Sequence, residues 1–523
     1  MKQGKFLFFK FLAAVTLLTS LSSVAFSSTK TSEKYFDLSG EGWFLWLDKE
    51  AAYLDDKLYL SDTPLRSISP NKPSVGWQKL FANAVPWQSV QDKRYSKSEA
   101  IPAIQVSVPG TVEEYLWNSH GGDYQGVSWW GKTVFIPKAK RSKRVRLHFR
   151  QGARMRAEGY VNRKLVHYNL VSMVPFAADI SDAIQFGKQN QIAVRITDPA
   201  GNFGWADIKP DQWGKKPIPP SHGFGGIMGP VELEFHEAIR ISELFVMNKP
   251  SVTEIEAKLG FENIQSTQNG TIDTLVVEAK NPDMVIFRQS RPFEFKSGIA
   301  QASVKIKAPD AKIWDISNPN LYFIKIKAKD ATGRVLDHKT ERFGFRWFEV
   351  AGQGSEAIFK LNGKRIVLRT AISWGYYPVN GMYATPEFAR KHVQAAKDLG
   401  LNMLSFHRGM GQEIVLDMAD ELGLLYYAEP GGYTSARKTG SNQFTRDWVS
   451  EKWLRMVGFM RNHPSLVMYN MINEQAEVAD ERNHQDMADA HKIDPTRLKT
   501  YVSGWVDEGP EQINKLQIGR AHV

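Results

Sequence analysis

From about residue 350 onward the chain alternates short apolar runs with helical stretches, and this alternation restricts it to parallel α/β architecture. Residues 365–368 read as a first strand. Thr385 then stands as an N-cap before Pro386 at the first helical position, and Gly400 closes the helix that runs through Lys397. Residues 402–406 form the next strand and 413–422 the next helix, ended by Gly423. Strand 424–428, helix 446–460, strand 466–472 and a fifth strand at 498–503 continue the series. The expected architecture over 348–517 is the N-terminal part of a (β/α)8 TIM barrel.

The run 466–472 is almost wholly apolar and is bounded by Pro464 and a polar cluster, as in a strand buried on both faces of a parallel sheet. It delivers Asn473 and Glu474 to its C-terminal end, the end at which barrel chemistry sits. Glu474 also admits a plainer role at the start of the next helix or as the partner of an arginine. Ser373 and Trp374 follow the first strand, His407 and Arg408 the second, and Glu429 the third, so all would face one mouth. His407 and Arg408 would serve equally well in structural ion pairs, and Glu429 in holding a loop.

Ahead of residue 350 the pattern is short strands between turn clusters, which predicts antiparallel β-sandwiches. We divide it into a jelly-roll-like segment over 29–238 and an immunoglobulin-like segment over 239–347. Residues 205–222, with Trp205, Asp207, Trp213, Lys215 and Lys216, form an irregular stretch too long for a turn.

Composition mainly excludes. The chain has no cysteine, which removes disulfides, thiolate nucleophiles and zinc–thiolate sites. A net charge of +11 is modest for 523 residues, and nothing has the form of a nucleic-acid module. The basic run 138–146 alternates with Val145 and Leu147 as a solvated turn and strand edge would; an acidic polysaccharide is the partner it would suit. His407, His463 and His484 are dispersed, so no metal and no cofactor are expected. No glycine-rich strand-to-helix turn offers a donor-phosphate loop, which counts against an α/β transferase. Lys2, Lys5 and Lys10, the apolar stretch 11–26 and Ser23-Val24-Ala25 predict a cleaved signal peptide within 1–28. The mature chain is then expected in the periplasm or outside the cell, free of the membrane. The alternative, a retained anchor, would need a longer uncharged run.

Asn462-His463-Pro464-Ser465, the apolar strand and Asn473-Glu474, in this order, resemble the acid/base signature of glycoside hydrolase family 2, which contains β-galactosidases, β-glucuronidases and β-mannosidases. Phe343-Gly344-Phe345-Arg346, Trp314-Asp315 and the Asn-Pro-Asn-Leu-Tyr of 318–322 are similar to its immunoglobulin-like middle domain. The pieces from Trp129 to Leu233 resemble its jelly-roll sugar-binding domain. The resemblance implies a retaining, exo-acting hydrolase of oligo- or polysaccharides in which Glu474 is the acid/base and Asn473 bonds the sugar 2-hydroxyl. Trp374, His407, Arg408 and Glu429 would line the substrate. A carboxyl beside Met471 and Ile472 and facing a second carboxylate should hold its proton near neutrality. The family's nucleophile follows many tens of residues later, so it is expected beyond residue 523. Residues 518–523 are expected to be a non-native tail, and the chain as written inactive. Ser405 stands where many relatives place an arginine, leaving Arg408 as the candidate for that charge. A non-catalytic carbohydrate-binding protein of the same architecture is the alternative.

Overall fold

The computed structural model describes residues 34–91, 93–96, 99–120, 124–199, 211–218, 223–373, 383–407, 409–431, 442–473 and 481–503. The first part is a sandwich of a seven-stranded and a four-stranded sheet. Strand Arg144–Phe149 shows why these residues make one. Val145, Leu147 and Phe149 point into the core with Trp130 and Val194, whereas Arg144, Arg146 and His148 alternate onto the outer face. The basic run thus ends inside the sheet and not at its edge, because this strand pairs with both Phe176–Asp179 and Val231–His236.

The stretch 205–222 is not irregular throughout. Asp211–Trp213 and Lys216–Ile218 form a hairpin. Trp213 is fully buried, donates from its indole nitrogen to the Tyr53 carbonyl at 2.7 Å, and lies under the Arg156 guanidinium. Its ring is therefore part of the core rather than of a free loop.

A second sandwich follows, with Ile239–Asn248, Glu254–Asn263 and Gly298–Lys307 facing a four-stranded sheet of Gln268–Glu278, Val285–Phe295, Tyr322–Asp330 and Val335–Phe343. Phe261, Phe293, Phe295, Tyr322, Phe343 and Phe345 pack edge to face or tilted between the sheets.

The first barrel strand is not at 365–368. Lys364–Ile366 instead closes a small antiparallel sheet with Phe348–Ala351 and Ile358–Leu361. The reason is Asn362-Gly363, with φ of 53° and 78°, the backbone of a tight two-residue hairpin turn. The barrel proper begins with β1 (Thr370–Ser373) and proceeds through α1 (Pro386–Asp398), β2 (Met403–Phe406), α2 (Glu413–Leu422), β3 (Leu425–Ala428), α3 (Gln443–Met460), β4 (Leu466–Asn473), α4 (Glu481–Ile493) and β5 (Leu498–Ser503). The five strands are parallel and neighbour one another in chain order.

The Thr385 hydroxyl caps α1 by accepting from the Phe388 N–H at 3.3 Å. Gly423 ends α2 in the left-handed region, where a Cβ would also come within 2.5 Å of the Ile316 carbonyl. Asn442 caps α3, which starts three residues earlier than the apolar pattern indicated. Val415, Leu416, Ala419, Trp453, Met456 and Val457 on the helices bury against Tyr426, Tyr469 and Met471 on the sheet. Each such large side chain contributes about 1.5–3 kcal/mol on burial. Among the described residues β1 pairs only with β2, and Ile372 on it is 57% exposed. No helix among them is long and apolar enough to cross a membrane.

Candidate active site

The register of the parallel sheet brings the polar strand ends to one rim. Ser373 pairs with Phe406, Ala428 with Tyr469 and Asn473 with Ser503, so Ser373, His407, Glu429 and Asn473 stand together at the C-terminal edge. The His407 N–H extends the ladder beyond β2 by donating to the Ser373 carbonyl at 2.9 Å. The Ser373 hydroxyl shares a 3.1 Å hydrogen bond with His392 Nε2, tying β1 to α1. Burial keeps the His392 imidazole below its usual pKa, hence neutral near pH 7. Asn473 is 1% exposed at the end of a strand buried along its full length. Glu474, Trp374 and Arg408 lie outside the described residues.

Glu429 is also 1% exposed, and the residue that holds it is one sequence reading passed over. Asn470 Nδ2 donates to Glu429 Oε1 at 3.2 Å and to the Ile472 carbonyl at 2.6 Å. Its Oδ1 accepts from Thr500 Oγ1 at 2.9 Å, and Thr500 in turn meets the Tyr427 hydroxyl at 2.7 Å. A polar ladder thus crosses β3, β4 and β5 and fixes one rim carboxylate to the barrel wall. The signal was present as the single amide inside an apolar run.

At the opposite end of β4, residues 461–465 anchor the strand to both neighbouring layers. Asn462 acts as an extra peptide on the free edge of strand Ile239–Asn248, accepting from the Val246 N–H and donating to the Leu244 carbonyl, each at 2.9 Å. Arg461 pairs with Glu243 and lies over the Phe245 ring. The wholly buried Arg346 donates to the carbonyls of Pro464 at 3.0 Å and Leu466 at 2.7 Å. Burial, with Arg497 nearby, lowers its pKa to about 9. Gly344 is required where Trp314 and Pro464 close in, since a Cβ there would meet theirs at 2.8 and 3.1 Å. The two motifs on either side of the domain junction are therefore contacts of each other.

His463, isolated in sequence, is brought by α2 to Asp417 and Asp420. Its Nδ1 lies 2.7 Å from Asp420 Oδ2, and ligand atoms of the three residues fall within 4.8 Å of one another. This corrects the expectation that the histidines stand apart from any group able to hold a metal. The group already contains a cation, because Arg342 sits 2.5 Å from Asp417 Oδ1 and 3.6 Å from Asp420 Oδ2. Burial disfavours the His463 imidazolium, but the adjacent Asp420 outweighs it and raises the pKa above the usual value. Burial likewise opposes ionisation of Asp420, and His463, Arg342 and the Ser465 N–H more than offset it.

Residues 240–346 match the family model described as glycosyl hydrolases family 2, and residues 355–518 match that family's TIM barrel domain, together just over half of the chain. The chain belongs to glycosyl hydrolases family 2. It is 28% identical over 388 residues to a β-galactosidase of Thermoanaerobacter pseudethanolicus, covering 72% of this chain and 48% of that one. It is 24% identical over 439 residues to a β-glucuronidase of Bacteroides fragilis, covering 78% and 59%. Among solved structures, a family 2 member from Bacteroides cellulosilyticus superposes with a TM-score of 0.67 at 19% identity, covering 91% of this chain and 58% of that one. The chain spans about half the length of these two curated relatives. The multidomain β-sandwich and TIM-barrel fold is that of family 2.

Proposed function

We propose that this family 2 chain carries the acid/base wall of a retaining, exo-acting glycoside hydrolase that cleaves β-glucuronides, β-galactosides or similar O-glycosides of oligo- or polysaccharides. The observation that supports this most is the position of Asn473, buried at the C-terminal end of β4, with Glu474 next in sequence. A glycosidic oxygen leaves poorly as an alkoxide, so a carboxylic acid must protonate it while a carboxylate attacks the anomeric carbon. In this reading Glu474 gives that proton and then, as base, takes one from the incoming water. Asn473 bonds the 2-hydroxyl, an interaction that tightens toward the transition state. His407, Arg408, Trp374 and the Asn470-held Glu429 contact the sugar. The attacking carboxylate belongs to a later strand than β5, about 5–5.5 Å from Glu474 once the barrel is closed. The five strands alone would then bind without turnover. Residues 1–28 support an exported location.

The test is hydrolysis of nitrophenyl β-glucuronide and β-galactoside by the protein with a completed barrel, wild type beside Glu474→Gln. Loss of general acid catalysis should lower kcat/KM by about 10²–10⁴ on substrates with poor leaving groups, and less on activated ones. Undiminished turnover by the variant of a glycoside with a poor leaving group removes Glu474 from the mechanism, and no turnover of any glycoside by the wild type removes the reading.

A further inference from the structure

The basic run that begins at Lys138 meets two further turns at one end of the first sandwich. The Gly187 N–H donates to the Ile136 carbonyl at 2.7 Å and the Val145 N–H to Ser181 Oγ at 2.9 Å, while Asn162 Nδ2 donates to the Ala183 carbonyl and to Asn190 Oδ1, each at 2.8 Å. Residues 136–144, 161–164 and 179–190 are thereby joined into one surface, and they hold eight lysines and arginines against two aspartates. That excess is more than half of the net +11 of the chain, so the charge is concentrated here and not spread evenly.

The carboxylates that meet these turns already face cations. Arg144 pairs with Asp179 at 2.5 Å and approaches Asp182 at 4.0 Å, and Lys143 holds Glu237 at 2.6 Å. Asp37 and Glu41 lie on the other side of strand Gly126–Ile136, beside Lys132. Lys138, Arg141, Arg163, Lys164 and Lys188 are exposed, and their side chains make no ion pair or hydrogen bond among the described residues. Next to them the outer face of the seven-stranded sheet is bare. Elsewhere that face is roofed, as where Trp77 packs on Trp129 and Tyr160. At the strand end Phe135 stands opposite Gln189 and Thr133 opposite Gln191, and Phe135 is 51% exposed.

We propose that this end of the first sandwich binds a linear acidic polysaccharide, its anionic groups on the five exposed cations and a sugar ring against Phe135. Carboxylates or sulfate esters repeated along a chain offer charge-assisted hydrogen bonds to several cations at once. The apolar face of a pyranose covers an exposed aromatic ring, and Gln189 and Thr133 suit sugar hydroxyls. One ring flanked by an amide and a hydroxyl fits a polyhydroxylated ring better than a run of bases, which calls for successive aromatic platforms. No barrel residue takes part, so the inference does not depend on the reaction proposed for the rim.

Calorimetric titration of the 523-residue chain with polygalacturonate and with heparin separates carboxylate from sulfate ester as the anionic group, with neutral pullulan and oligodeoxythymidylate as references. At least one of the two acidic polysaccharides should bind saturably, and more weakly as salt rises. The double variant Arg141→Glu with Lys188→Glu should weaken it about tenfold or more, and Phe135→Ala about threefold or more. Lys280→Glu with Lys305→Glu, which makes the same change of charge at exposed positions of the second sandwich, should leave it within about twofold. All the substituted residues are exposed, so each variant should keep the near-ultraviolet circular dichroism of the wild type. No saturable binding of either acidic polysaccharide, equal binding of pullulan or tighter binding of the oligonucleotide overturns the proposal. So does an equal loss in the Lys280 and Lys305 variant, or an unaltered affinity in either of the other two.

Discussion

Replacing Asn470 with leucine would keep the volume of the β4 side chain while taking a hydrogen-bond partner from both Glu429 and Thr500. Because these groups are buried or nearly so, the variant should lose about 1–3 kcal/mol, read from its urea midpoint. A midpoint equal to that of the wild type would show that the ladder holds nothing in place. His463 gives a second prediction at this scale, with a sign fixed by linkage. Its folded pKa is raised, so the stability it contributes is fully present below the unfolded histidine value and fades as pH rises through the folded one. Asp420 is depressed, so its contribution is present above the unfolded aspartate value and fades as pH falls. The pair therefore stabilises most in weakly acidic solution. The gap in urea midpoint between wild type and His463→Gln should be widest in weakly acidic solution, below the unfolded histidine value, and shrink as pH rises through the raised folded one, and a gap independent of pH would contradict this.

The elements show what was legible in the sequence and what was not. Caps are local, and Thr385-Pro386 and Gly423 marked their helix ends correctly because the chemistry lies within four residues. Thr385→Ala should accordingly cost about 1 kcal/mol, measurable by thermal unfolding. The hairpin at Asn362-Gly363 was equally local, but the apolar Ile366-Val367-Leu368 outweighed the turn signal and drew the first barrel strand several residues too early. The meeting of His463 with α2 could not be seen, since 43 residues separate it from Asp420 and no period links them. The rim positions of Asn473, His407 and Glu429 followed from strand order alone, whereas Glu429's amide partner needed the register of three strands. Gly344 carries a further prediction. Alanine there must push against Trp314 and Pro464, and should destabilise by about 1–3 kcal/mol in the same unfolding assay.

At the scale of the whole molecule, the side of β1 away from β2 pairs with no strand among the described residues, and the exposed Ile372 and Val367 lie beside it. Such an edge is a template for another chain. The 523-residue polypeptide should self-associate with rising concentration, and Ile372→Lys should reduce the light scattered; equal scattering would place the sticky surface elsewhere. The reciprocal grip of Arg346 on the turn before β4, and of Asn462 on the edge of the middle sandwich, bears on how such proteins can be rearranged. Barrel and sandwich share one seam, so they travel as a cassette. A chimera cut between them would strand a buried guanidinium on one side and an ungripped β4 on the other.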